Sequence, residues 1–154
     1  MNLTPYFTLG ELTVSETASR RGIDNTPDAA VMSNLKRLAE FLEKVRALAK
    51  RPVVVSSGYR SPELNKAIGG SERSAHMSGL AADINVPGLA PYRLASLIAE
   101  SDLVFDQLIL EFDSWVHVGL TVADPRREIL TIRKGTGYRS GLILFASDRG
   151  PSVV

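Results

Sequence analysis

The chain contains no cysteine. That excludes disulfide staples and thiolate zinc sites, and leaves any metal to imidazole and carboxylate ligands. Histidine is nearly as scarce, with two residues, and tryptophan occurs once. No stretch approaches the roughly 18 consecutive apolar residues of a membrane-spanning helix, so no membrane insertion is expected. No charge of one sign dominates either: 18 lysines and arginines face 17 aspartates and glutamates. A chain so balanced has no global field to draw it onto nucleic acid or a membrane surface, and its partner must be inferred from a site. The opening, MNLTPYFTLGELTVSETASRRG, lacks a cationic segment followed by an apolar one. No secretory leader is read there, and a cytoplasmic location at synthesis is expected. Repeats and low-complexity segments are absent too. With 154 residues, 44% of them hydrophobic, the expectation is one compact domain spanning 1–154, acting as a monomer.

What is present reads as helices first and strands later. Ser15 is a candidate N-cap for a short helix that Gly22 stops. Thr26, with Pro27 and Asp28 after it, is expected to open a long amphipathic helix in which Val31, Leu35, Leu38, Leu42, Val45 and Ala49 recur at helical spacing. RPVVVSSGYR then reads as a buried strand opening into a loop. Ser61 and Pro62 read as the cap and first residue of a short helix that Gly69 and Gly70 end. In LAADINV the residues alternate, so Leu80, Ala82, Ile84 and Val86 face a core while Ala81, Asp83 and Asn85 face the other side. A helix around Leu94, Leu97 and Ile98 follows, then two hairpins, QLILEFDSWVHVGL and EILTIRKGTGYRSGLILFA, and a polar tail. The class is α+β: N-terminal helices packed on an antiparallel sheet.

Both histidines lie at strand edges beside small residues: His76 in SERSAHMSGLAADINV and His117 in WVHVGL. Gly79 permits a sharp turn that folds His76 back towards Asp83, whose phase on its strand points it out of the core. Two imidazoles and one carboxylate are a recurrent catalytic zinc set, because zinc takes nitrogen and oxygen ligands tetrahedrally and keeps one position open. No nucleophile elbow, phosphate loop or dinucleotide fingerprint competes with that reading. The basic run DPRREILTIRKGTGYR, with one interleaved tyrosine, reads as a solvated strand face and not as a nucleic-acid surface.

Ser74, His76, Gly79, Ala81 and Asp83 match an S-x-H-x-x-G-x-A-x-D pattern, and Trp115 with His117 supplies a later W-x-H. With SSGYRSPELN upstream, the segment from about Val53 to Val118 resembles the zinc D-alanyl-D-alanine carboxypeptidase family of peptidoglycan peptidases, and in particular its phage endolysin-like members. The resemblance implies a small α+β domain and one Zn2+ per chain, held by His76, Asp83 and His117. It implies that Arg60 binds substrate, at a carboxylate or at the scissile carbonyl. Ser74 is placed beside the ligands, orienting the loop or touching substrate. The implied reaction is hydrolysis without a covalent intermediate, at D-Ala-D-Ala or at L-Ala-D-Glu in the stem peptide of bacterial peptidoglycan. The absent leader is consistent with a phage or prophage lysis enzyme that reaches the wall after release. The alternative is a non-catalytic wall-binding or virion structural protein of the same fold.

The general base is where the sequence departs from the family pattern. Family members commonly carry an acidic residue three positions before the second histidine; here that residue is Ser114, and the nearest carboxylates are Glu111 and Asp113. A two-residue turn at Asp113 and Ser114 would pair Glu111 with Val116, on the face opposite His117. A loop from Asp113 to Trp115 would set Glu111 directly across from His117. Sequences that resemble this segment often read E-F ahead of the W-x-H, which favours Glu111, with Asp113 as the alternative.

Overall fold

The computed structural model describes residues 1–144; the polar tail expected from 147 onwards lies outside them. A small ribbon of β1 (Asn2–Thr4) and β2 (Phe7–Thr8) leads into α1 (Leu9–Thr13) and α2 (Glu16–Arg21). The long helix α3 (Ala29–Ala49) follows, then β3 (Val54–Ser57) and α4 (Pro62–Ala67). A 3-10 turn (Ala75–Ser78) precedes β4 (Ala81–Asn85), and α5 (Pro91–Ala99) precedes β5 (Gln107–Glu111), β6 (Trp115–Gly119), β7 (Glu128–Arg133) and β8 (Gly137–Ser140). The first ribbon and α1 were not expected from the sequence, being too short to show a period. Among the described residues, no helix is long and apolar enough to cross a membrane.

Several caps act as the sequence suggests. Ser15 accepts from the Ala18 N–H, Gly22 closes α2 in the left-handed region, and Ser61 with Pro62 opens α4. The start of α3 is a correction: its cap is Asp28, whose carboxylate accepts from the Val31 N–H. Upstream, the Asp24 carboxylate takes the Thr26 N–H and bends the chain before the helix begins. Leu35, Leu38, Leu42 and Val45 on α3 are fully buried, each worth about 1.5–3 kcal/mol of apolar burial.

Six strands form the main sheet in the order β3-β4-β6-β5-β7-β8. The sheet is mixed and not wholly antiparallel, because β5 and β7 run parallel. The reason is local. β6 returns antiparallel to β5 and ends beside its start, so the link 120–127 has only to cross the end of β5 for the chain to begin again, parallel, on its far side. Arg126 fastens that link with two bonds to the Asp106 carboxylate at 3.0 and 2.8 Å, and Arg127 donates to the carbonyls of Ala99, Ser101 and Leu103. Two cations of the basic run are therefore committed to closing the fold. A further difference concerns β3: it is an outer strand with Val54 half exposed, not a buried one.

Register divides the sheet into two faces. Ala82, Ile84, Val116, Val118, Leu108 and Leu110 turn towards α3 and α5 and are buried in the core. On the opposite face, directly paired residues share a side, and three rows result. Ser57, Asp83, His117, Ile109 and Leu130 form the middle row, flanked by Trp115, Glu111, Ile132 and Tyr138 on one side and by Ala81, Gly119, Gln107 and Glu128 on the other. Asp83, His117 and Glu111 all stand on this second face.

Candidate metal centre

Asp83 and His117 are direct cross-strand partners on β4 and β6, so pairing alone brings their side chains together. His76 arrives from the 3-10 turn, and Gly79 makes the bend with φ +73°. Asp83 Oδ1 lies 3.1 Å from His117 Nδ1 and 3.4 Å from His76 Nε2. One ligand atom from each residue falls within 4.8 Å of the other two. The rings of His76 and His117 meet edge-on, 5.1 Å between centroids. All three residues are buried, at 3%, 6% and 9% exposure for His76, Asp83 and His117.

Three nitrogen and oxygen donors converging at the base of an open cleft fit a divalent metal with one position left for another ligand. The ring orientation agrees. His76 Nδ1 lies 2.7 Å from the Gly58 carbonyl, to which it donates, and this turns Nε2 towards Asp83. Gly58 can present that carbonyl because it has no side chain: a Cβ there would lie 2.4 Å from the Leu12 carbonyl oxygen. Burial pushes the Asp83 carboxyl up, but hydrogen bonds from His117 and His76, with the charge of both rings, hold it well below the ordinary carboxylate range. That lowering favours the anionic form that a metal ligand takes.

Around this group the other expected residues fall in distinct places. Arg60 Nε donates to Ser57 Oγ at 3.2 Å, and its terminal nitrogens reach Asp83 Oδ2 and Asn65 Oδ1, each at 3.5 Å. Its backbone N–H donates to the His76 carbonyl at 3.0 Å, which ties the arginine loop to the histidine turn. Burial lowers the pKa of its guanidinium, against the raising influence of Asp83 and Glu111. Ser74 caps the 3-10 turn by accepting the His76 N–H at 3.2 Å and also lines the cleft.

The hairpin takes neither of the two expected registers. Its loop is Phe112–Ser114, so Glu111 pairs with Trp115, and Ile109 is the residue across from His117. Phe112 and Asp113 both adopt positive φ, 54° and 53°. Holding two non-glycine residues there costs of order 1–3 kcal/mol each. The Phe112 N–H to the Ile132 carbonyl and an ion pair from Asp113 to Arg133 hold the turn in that shape. Glu111 thereby stands diagonal to His117 on the same face, with Oε1 4.0 Å from His117 Nδ1. Its other oxygen, Oε2, accepts from the Trp115 indole N–H at 2.9 Å. Burial and the Asp83 charge push the Glu111 carboxyl up, opposed by His117, Trp115 and Arg60. Asp113 is turned away on the loop and is not among the residues that line the cleft.

The cleft itself has a volume of about 620 Å³. Beyond the three ligands it crosses an apolar floor of Ile109 and Leu130, with Tyr138 on one flank and Gln107 and Glu128 on the other. Sequence reasoning missed the Gly58 carbonyl, the tie from Trp115 to Glu111 and the contribution of β7 and β8. The one available signal was that the sole tryptophan sits two residues before the second histidine.

With this geometry in place, comparison with known proteins adds one match: a family model described as peptidase M15 covers residues 5–119, most of the chain and every residue from Arg60 to His117. No curated protein matches it.

Proposed function

Since the chain belongs to the peptidase M15 family of zinc-dependent metallopeptidases, we propose that it hydrolyses a peptide bond in the stem peptide of bacterial peptidoglycan. In this reading His76, Asp83 and His117 hold one Zn2+, and Glu111 moves the proton. The observation that carries it is the position of Glu111, with one oxygen fastened by Trp115 and the other turned towards the convergence of the three ligands.

When bound, zinc supplies Lewis-acid polarisation of the scissile carbonyl and makes water acidic enough to lose a proton near neutrality. Glu111 Oε1 would accept a proton from water as the water oxygen adds to the scissile carbonyl, and would return it to the leaving nitrogen as the C–N bond breaks, so one carboxylate would serve as base and then as acid. The Trp115 N–H keeps the carboxylate from rotating between those two tasks. Arg60 offers a planar, permanently charged fork beside Asp83, suited to a substrate carboxylate or to the oxygen of the polarised carbonyl. Its bonds to Asp83 and Asn65 are at the long limit, so its donors are not exhausted. Ser74 supports the reaction by holding the turn that carries His76, with its hydroxyl at the cleft wall. The bond cut is D-Ala-D-Ala or L-Ala-D-Glu, and the setting we infer is a phage or prophage lysis enzyme that meets the wall after release from the cytoplasm.

The test is direct. Zinc-loaded protein is incubated with defined muropeptides and the products are identified by mass spectrometry. Cleavage at one stem-peptide bond, abolished by chelation and restored by zinc, is the expected result. Tight binding of the same muropeptides without any product would instead favour the non-catalytic wall-binding or virion protein.

A further inference from the structure

Arg60 faces two clefts. On one side is the cleft of about 620 Å³ that contains the three ligands; on the other, a second cleft of about 500 Å³ runs beside β3, with Ser56, Ser57, Tyr59 and Leu64 in its wall. Arg60 lines both. Ser57 pairs with Asp83 across the β3–β4 ladder, and Arg60 Nε bonds to the Ser57 hydroxyl. Neighbouring strands lie about 4.8 Å apart. The second cleft therefore begins one strand spacing from a metal-ligating carboxylate.

Its lining suits an extended peptide. β3 is the outer strand of the sheet on this side, so part of its backbone N–H and C=O row points away from β4, towards the position an added chain would take. Val14, from the link between α1 and α2, and Ile68, at the end of α4, stand at the rim with 66% and 43% exposure. Among the residues of the wall, Glu16 and Arg60 alone carry charge. A strand edge with aliphatic residues at its rim offers backbone hydrogen bonds to amides and apolar contact to short alkyl side chains. Each cleft alone lies within the roughly 300–1,000 Å³ that holds a ligand of drug size, so the pair exceeds what a dipeptide fills.

We propose that the β3-edge cleft binds a segment of the substrate peptide remote from the scissile bond, so that the enzyme reads an extended peptide laid across Arg60 through both clefts and not a terminal dipeptide. The identity of the ligand rests on the peptidase reading above. The cleft itself rests on the shared arginine, the outer position of β3 in the sheet and the two exposed aliphatic residues that line it.

Equilibrium binding separates the two. Calorimetric titration of zinc-loaded Glu111→Gln protein uses three probes: the pentapeptide L-Ala-D-Glu-L-Lys-D-Ala-D-Ala and the dipeptides D-Ala-D-Ala and L-Ala-D-Glu. The pentapeptide is expected to bind at least about tenfold more tightly than either dipeptide, about 1.4 kcal/mol. Val14→Glu and Ile68→Glu, introduced separately at exposed positions and checked by melting, should each remove most of that gain. Val122→Glu, at a position 67% exposed and outside both clefts, should retain it. A pentapeptide that binds no more tightly than the dipeptides, or whose advantage survives both rim substitutions, overturns the proposal. If the affinity pattern holds while wild-type protein leaves the pentapeptide and muropeptides intact, the cleft stands and the peptidase reading falls. If wild-type protein cleaves them while the rim substitutions are silent, the reverse is true.

Discussion

Gly79→Ala tests how the centre is built. Gly79 adopts φ +73°, and a Cβ placed on it would lie 2.9 Å from Val31 Cγ1, 3.0 Å from the Val31 carbonyl oxygen and 3.1 Å from Leu35 Cγ. Two costs follow. An alanine in the left-handed region is strained by about 1–2 kcal/mol. Overpacking against α3 adds roughly 1–3 kcal/mol, because the Val31 carbonyl is helix backbone and cannot step aside as a side chain would. The expected loss is about 2–5 kcal/mol, or a fall in Tm of roughly 5–15 °C for a chain of this size. Gly22→Ala is the control: its φ is +66° but nothing lies within 4 Å of the added carbon, so it should cost only the strain. Urea unfolding of both variants with a chelator present removes any contribution from bound metal. Since Gly79 carries the chain from His76 to Asp83, the packing penalty should also weaken zinc binding in Gly79→Ala and leave it unchanged in Gly22→Ala. Equal destabilisation by the two substitutions would refute the claim that contact with α3 sets this bend.

Removing the metal should lower the Tm of wild-type protein, since a ligand at a thousand times its Kd stabilises by about 4.1 kcal/mol; His117→Ala should fail to retain one zinc per chain by elemental analysis, and full occupancy in that variant would remove His117 from the ligand set. Glu111→Gln should keep its zinc and lose about a hundredfold or more in hydrolysis rate. Asp113→Asn, which weakens the ion pair to Arg133 on the turn, should lose less than about tenfold; the opposite ranking would make Asp113 the base. Trp115→Phe deletes the N–H that fastens Glu111 Oε2, so kcat should fall about tenfold with zinc content and KM unchanged, whereas an unchanged kcat would show that the carboxylate needs no such tie. The Asp106 carboxyl is lowered by its hydrogen bonds and charge contact with Arg126, against some burial. A carboxyl depressed in the folded state contributes stability above its unfolded pKa near 3.8 and loses it as pH falls through the folded value, so Asp106→Asn should flatten the acid limb of the stability curve below about pH 4. Identical acid limbs would show that the pair is too well solvated to matter.

The parts of this protein that were legible in the sequence are those with a local cause. The buried face of α3 follows from Val31, Leu35, Leu38, Leu42 and Val45 at helical spacing, and the caps at Ser15 and Ser61 follow from short side chains beside unpaired N–H groups. The strand phase of Asp83 is equally local, since alternation alone points it away from Ala82 and Ile84. Hence the three residues could be named as candidates from local pattern and motif resemblance, whereas their convergence came from the pairing of β4 with β6. Other features depended on residues far apart in the chain. The hairpin register was fixed not by the turn residues, which include two non-glycines at positive φ, but by bonds from the loop to Ile132 and Arg133 on another strand. The parallel pairing of β5 with β7 arose because β6 already occupied the opposite edge of β5. The orientation of the His76 ring was set by a carbonyl 18 residues away, on a glycine against which Leu12 of α1 packs closely. Spacing records which side a residue faces; which partner meets it there is decided by tertiary packing, since that energy is released only when distant segments come into contact.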